Sequence, residues 1–518
     1  MSFPLASLAP LALLAAALFA LTRPGLRPRA LPQVAEGAAL VSLALTLAGA
    51  VQIWLIGPLT LSGGTGPLAP ALALDAVGAT MTVLVGFVGW TVLRHSRRYL
   101  DGAAREGAFH GLMLAALAAV MILVMAGGLA TFAAASIATG IAVRALLLFN
   151  QGRAEARRAA VKFSLVWHAG DVALIAAAAL LIAAFGAGDF AAITLAAGAG
   201  PLPGLALAAT GLLAVAALLK TAAFPLHGWL TEVMEAPTPV SALLHAGIVN
   251  AGGLLLIRLA DLMQASPGAM AGLVLAGGFT ALFAGLVMLT QAAVKTALAW
   301  STVAQMGFLM LQCGLGLWPL ALLHIVAHSL YKAHGFLASG GAVRAVLAAR
   351  RPGPVAAPGI GAVARAFALA LALHAIVTAA VITAFGPMSA QALALGAILV
   401  FGVAYLVAQG LADAAPGALT RRTLLASGAA TLSYFAFHAL AGAVAGGSLP
   451  VPPTPGPLEW ALIAVTLGSF GLVAVAQALF PHWAHHPAAA GLRVHVANGL
   501  YLNAAFDRLI AGALSKSR

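Results

Sequence analysis

The stretch GLALAATGLLAVAALL, residues 204–219, contains no charged residue. Runs like it recur along the whole chain. In lipid such a backbone has to satisfy its N–H and C=O groups internally, which leaves helices or closed barrels. A barrel alternates apolar and polar residues over short segments; here the runs are long, continuous and rich in Ala, Leu and Gly. At about 20 residues per span, roughly fifteen runs suffice to cross a bilayer. They start near Pro4, Glu36, Pro70, Ala108, Gly128, Val161, Pro201, Val240, Gly268, Lys295, Trp318, Ile360, Ser389, Arg422 and Leu458. Composition agrees: 62% of the 518 residues are hydrophobic and 8% charged, against about 25% charged in a soluble chain. The sequence predicts an all-α polytopic membrane protein, one integral membrane domain over 1–518.

The net charge of +13 does not indicate nucleic acid, because the basic residues sit in short loops without interleaved aromatics. With the N-terminus outside, the inside loops hold Arg23, Arg27, Arg29, Arg94, Arg97, Arg98 and Arg105. They also hold Arg153, Arg157, Arg158, Arg344, Arg350, Arg351, Arg421 and Arg422. Arg258, at a helix end, is the outside exception. This asymmetry obeys the positive-inside rule and puts the C-terminus in the cytoplasm. The first apolar run lacks a basic leader, so it reads as a spanning helix rather than a signal peptide. One cysteine, Cys313, excludes an internal disulfide or a thiolate metal site. No P-loop or dinucleotide fingerprint is present, and no haem or cluster ligand set. The tail after Pro481 is either a short interfacial helix or an ordered end packed on a neighbour.

A charged side chain at mid-bilayer costs about 2.5–3.5 kcal/mol on insertion scales, so each one needs a reason. Lys220 ends an apolar run, and Pro225 follows in LKTAAFPLHGWLTEVMEAPTPVSALLHAG. Proline removes a backbone donor and clashes one turn back, so the helix is expected to break just after the lysine. Pro237 and Pro239 are expected to hold EAPTPVS off-helix, with His245 one turn into the next span. In LHIVAHSLYKAHGFLASGG, His324, His328 and Lys332 recur at i, i+4 and i+8 on one helical face. Such a row can relay protons; it can also be a hydrogen-bond ladder or, lacking an obvious third ligand, a poor zinc site. His334 lies off that face. Lys295 begins a span and is either buried or snorkelling. Asp171, one turn after His168, calls for a base across helices, whereas Asp75 near a span end reads as structural. Trp229, Glu232 and Glu235 are candidates for contacting a partner at the inner face.

These motifs, in this order and spacing, resemble the antiporter-like membrane subunits of respiratory complex I and of Mrp cation/proton antiporters. The resemblance covers roughly 70–341. It implies an antiporter-like fold with discontinuous helices and inverted repeats. The helices would divide into 1–126, a first bundle over 127–260, a second over 268–408, and C-terminal helices and tail over 409–518. It further implies an ion path through Lys220, His245, Lys295, His324, His328, Lys332 and Asp171. Two departures stand out. The fifth-helix stretch LATFAAASIATGIAVRALLLF has Ile137 where respiratory subunits carry a glutamate, and no lysine occurs between Ala333 and Ser515. One branch is more similar: the DabB-type membrane subunits of inorganic-carbon accumulation complexes. It shares the forms VMEAPTPVSALLHAGIVNAGGLLLIRLADLM and NGLYLNAAF. That branch implies a bacterial inner-membrane protein moving protons or sodium, with no catalytic centre or cofactor of its own. Its partner would be a large soluble DabA-like subunit holding a zinc site similar to that of β-carbonic anhydrases. The alternatives are a complex I or Mrp subunit, and a membrane anchor that conducts nothing.

Overall fold

The computed structural model describes residues 3–28, 30–150, 152–341, 359–410 and 417–515. Arg29, Arg344, Arg350 and Arg351, and the side chains of Glu235 and Arg422, lie outside the described residues. The chain is a helical membrane bundle. Among the described residues, ten helices are long and apolar enough to cross a membrane. Three shorter apolar ones, Leu5–Leu21, Gly204–Lys220 and Ala390–Gly402, add to them. Val294–Gly314 and Trp318–Ala338 stay outside that set because their lysines, glutamines and histidines lower the hydropathy. The roughly fifteen runs of the sequence thus exceed what passes on length and hydropathy alone.

The first helices are α1 (Ala9–Leu21), α2 (Leu31–Ile56), α3 (Ala76–Tyr99), α4 (Glu106–Val124), α5 (Leu129–Leu147) and α6 (Ala154–Phe185). The span expected from Pro70 begins later. Residues Leu59–Ser62 (β1) and Ala71–Leu74 (β2) form an antiparallel hairpin, with Leu59 opposite Leu74. Asp75 then caps α3, its Oδ1 accepting from Gly78 N at 2.7 Å. Asp75 also answers the stray cation Arg258, whose Nη1 reaches both carboxylate oxygens at 2.8 and 2.7 Å while Nη2 donates to Val124 O. That arginine is held by an acid and a carbonyl at the hairpin end. The loops after α1, α3 and α5, with the adjoining helix ends, carry Arg23, Arg27, Arg94, Arg97, Arg98, Arg105, Arg153, Arg157 and Arg158 at the opposite end.

A short α7 (Phe190–Gly198) precedes α8 (Gly204–Lys220), α9 (Gly228–Glu232), α10 (Thr238–Ala246) and α11 (Ala251–Arg258). A small α12 (Ala260–Gln264) leads to α13 (Pro267–Leu289), α14 (Val294–Gly314) and α15 (Trp318–Ala338). Helices α13 and α14 meet along a seam of glycines. A Cβ on Gly307 would stand 2.5 Å from Ala281 N, and one on Gly314 would stand 2.7 Å from Val274 N. Only glycine allows that backbone approach, which is how membrane helices gain dispersion contact without a hydrophobic driving force. The remaining helices are α16 (Ile360–Phe385), α17 (Ala390–Gly410), α18 (Gly417–Ala445) and α19 (Pro457–Ala478). The tail folds into α20 (Phe480–Trp483), α21 (Pro487–Ala497) and α22 (Leu502–Ser515).

Candidate functional site: two buried lysine centres

Helix α8 stops at Lys220, and Ala222 takes a left-handed φ of +54°. Pro225 lies in the non-helical segment before α9, where a proline costs no helical hydrogen bond. Pro237 is the N-cap of α10. Pro239 is not off-helix: it sits in the first turn of α10, where helical N–H groups lack partners anyway, so proline starts the helix instead of breaking it.

The Lys220 ammonium is fully buried. Its Nζ donates to Asp171 Oδ1 at 2.6 Å and Ser136 Oγ at 2.7 Å, and stands 4.2 Å from the Trp167 ring centroid. The Ser136 hydroxyl in turn donates to Asp171 Oδ1 at 2.6 Å, and the Trp167 indole to Ser136 O at 3.0 Å. Asp171 Oδ2 meets His168 Nδ1 at 2.8 Å. The acid thus comes from α6, not from the α5 position held by Ile137. The residue beside that position, Ser136, completes the cage. Sequence reasoning gave Ser136 no role, since an intramembrane serine more often bonds its own helix.

The second centre lies between α10, α14 and α15. Helix α10 breaks at Gly247 (φ −123°, ψ −70°) before resuming as α11, so the span expected from Val240 is discontinuous. Side chains claim the carbonyls at this break, as a buried backbone requires. His328 Nε2 donates to His245 O at 3.1 Å, and Asn250 Nδ2 bridges Ala246 O and Ser329 Oγ at 3.1 Å each. His245 stacks on Phe336 with centroids 4.4 Å apart. His324 Nδ1 meets Gln312 Oε1 at 2.7 Å, and its ring lies 6.0 Å from that of His328. Lys332, fully buried, donates to Leu298 O at 3.1 Å. Lys295, half-buried at the start of α14, donates to Thr238 Oγ1 at 2.7 Å. The structure therefore brings His245, His324, His328 and Lys332 together. Lys220 and Asp171 form a separate centre, and Lys295 is at the arginine-bearing end. His334 is exposed.

Both ring nitrogens of His245, Nδ1 of His328 and Nε2 of His324 are buried without a protein partner among the described residues. A buried donor or acceptor left unmet costs about 1–3 kcal/mol. Open nitrogens along this seam suit groups that exchange protons with water, although the ring nitrogens of His110 and His227, away from it, are unpartnered among the described residues too. Among the described residues, no third His, Cys, Asp or Glu joins His324 and His328 to make a metal site.

Of the expected partner contacts, Trp229 needs correction. Trp229 is fully buried, its indole donating to Leu219 O at 3.2 Å and its ring packed edge-on to Phe163 and Trp167. It anchors the broken helix and offers no surface. Glu232 accepts from Lys162 at 2.6 Å. Lys162, buried on α6, uses its other donors on Asn503 Oδ1 and Asp507 Oδ1, also at 2.6 Å each. Three acceptors match three ammonium protons. The tail is thereby fastened over the loop, with Gln291 Nε2 reaching Ala497 O at 3.2 Å as a further tie. Lys162→Met is expected to release it: cleavage by trypsin at the exposed Arg493 rises about tenfold or more, tenfold corresponding to about 1.4 kcal/mol. An unchanged cleavage rate would show the tail held by other contacts.

Residues 126–351 match the family model described as NADH:quinone oxidoreductase/Mrp antiporter, transmembrane. A "probable inorganic carbon transporter subunit DabB2" of Halothiobacillus neapolitanus is 36% identical over 484 residues, 92% of this chain and 86% of that one. A DabB of Hydrogenovibrio crunogenus is 38% identical over 284 residues, about half of each chain at 54%. Among solved structures, one of the Mrp complex from Dietzia sp. superposes with a TM-score of 0.65 at 24% identity, covering 99% of this chain and 60% of that one. That last likeness is one of fold.

Proposed function

The chain belongs to the family of DabB inorganic carbon transporter subunits, and from that premise we propose that it moves protons across the bacterial inner membrane to drive inorganic-carbon accumulation. The observation that carries this is the second centre. His324, His328 and Lys332 line one face of α15 against the break at Gly247, where His245 and its carbonyl meet them. An anchor has no use for such a seam, since Leu and Ala would avoid the insertion cost. Lys220 with Asp171 and Ser136 forms the companion site on the first broken helix. In this reading the arginine-bearing end faces the cytoplasm.

The partner is a large soluble DabA-like subunit that carries the zinc and the hydration chemistry. This chain supplies the ion movement and the membrane seat. The fastened tail and the loop at Glu232 form the surface nearest the broken helix, and the partner docks there.

A tagged chain expressed with its neighbouring genes is expected to copurify with a soluble zinc protein. The pair should let a strain without other carbon-concentrating systems grow in air, and neither subunit alone should do so. Recovery of the chain with flavin or iron–sulphur subunits would assign it to a respiratory or antiporter complex instead.

A further inference from the structure

At the arginine-bearing end, α2, α3 and the last turn of α15 border an open groove of about 1,040 Å³ lined by Glu36, Arg94, Arg97, Arg98, Tyr99 and Leu337. Arg97 is held by Glu36. Tyr99, the last residue of α3, is 48% exposed in this groove. Its hydroxyl also meets the buried start of α10: Thr238 N donates to it at 3.5 Å, and Thr238 Oγ1 lies 3.3 Å away. The same Thr238 Oγ1 accepts from Lys295 Nζ. Leu298, whose carbonyl receives Lys332, is one turn beyond Lys295 on α14. Polar groups therefore connect the groove to within one helical turn of the Lys332 bond.

We infer that this groove is a proton port, with the Tyr99 and Thr238 hydroxyls relaying between groove water and Lys295; the inference rests on reading the α15 row as the ion path. The relay balances. An N–H bond of the Lys295 ammonium breaks as its proton joins Thr238 Oγ1. The Thr238 proton passes to the Tyr99 oxygen, and the Tyr99 proton passes to water in the groove. Three bonds break, three form, and one proton moves from ammonium to solvent; rotation of the hydroxyls restores the chain. The reverse sequence admits a proton. Hydroxyls carry protons by exchanging bonds, whereas a sodium ion would have to displace both side chains. This port therefore selects H+ over Na+. The sequence gives no sign of it, because Tyr99 and Thr238 belong to different segments and neither is ionised in a span.

The test uses the chain purified with its native partners and reconstituted in liposomes, with proton flux read by a pH dye. Tyr99→Phe and Thr238→Val keep shape and remove one hydroxyl each. Both are expected to lower flux about a hundredfold, the low end of what a positioned proton-transfer group contributes, with unchanged thermal midpoints. Thr238→Ser should stay within about twofold of wild type, since the hydroxyl remains. Wild-type flux in Tyr99→Phe, with Lys332→Arg inactive, overturns the port and leaves the row reading intact. Full flux in Lys332→Arg removes the row reading and the port with it. If Tyr99→Phe loses flux together with its thermal midpoint while Thr238→Val is neutral, Tyr99 only props α10 and the port is again overturned.

Discussion

Lys332→Arg abolishes ion movement in the expected outcome, although it preserves the positive charge. Lys332 is fully buried, donates to Leu298 O, and otherwise faces the ring of Tyr331 at 5.2 Å. A guanidinium, with a pKa above about 12, does not release its proton in proteins, whereas a desolvated ammonium does. It also has a planar fork that a single carbonyl cannot satisfy. Flux, or carbon-dependent growth in air, should fall by at least about a hundredfold, the scale of one general acid–base group. Full growth of this variant would make Lys332 a fixed charge and end the relay account.

The second large effect concerns the Lys220 and Asp171 pair and separates stability from transport. Asp171→Asn leaves a buried ammonium without its counter-charge, which costs about 3–5 kcal/mol, so the yield of assembled complex should drop steeply. Combining Lys220→Met with Asp171→Leu removes both charges at similar volume, a change that is often neutral or stabilising. The double variant is therefore expected to assemble and melt like wild type yet support no carbon accumulation. Growth of the double variant in air at the wild-type rate would show that this centre serves folding alone.

The parts of the site that stood out in the sequence are those whose residues are anomalous where they stand. A lysine closing an apolar run before a proline, and three titratable groups at four-residue spacing, announce themselves against Leu and Ala. The same reasoning singled out Asp171, and the structure sets it against Lys220. It missed what is ordinary. Ser136, Thr238 and Gln312 are common in spans, and only their partners across helices give them a role. Lys162, close behind Arg153, Arg157 and Arg158, received no role from the sequence, yet it is buried against the far end of the chain. In the fold, apolar runs marked the helices but not the hairpin at 59–74, since a short apolar strand and a helix start share the same composition. The break at Gly247 involves no proline, and a lone glycine is too frequent in membrane helices to mark one.

The fastening of Lys162 also has a temporal side. Its three acceptors are made at very different moments. Glu232 emerges 70 residues after it, and Asn503 only after 341. At roughly 5–20 residues per second, a ribosome reaches Asn503 roughly 20–70 s after Lys162. During that wait the lysine has at most one of its three partners, and α6 enters the bilayer with an unfinished cationic foot. Completion of the last helix, α22, supplies both missing acceptors. A chain released early keeps that foot open, a buried cation short of two of its three acceptors.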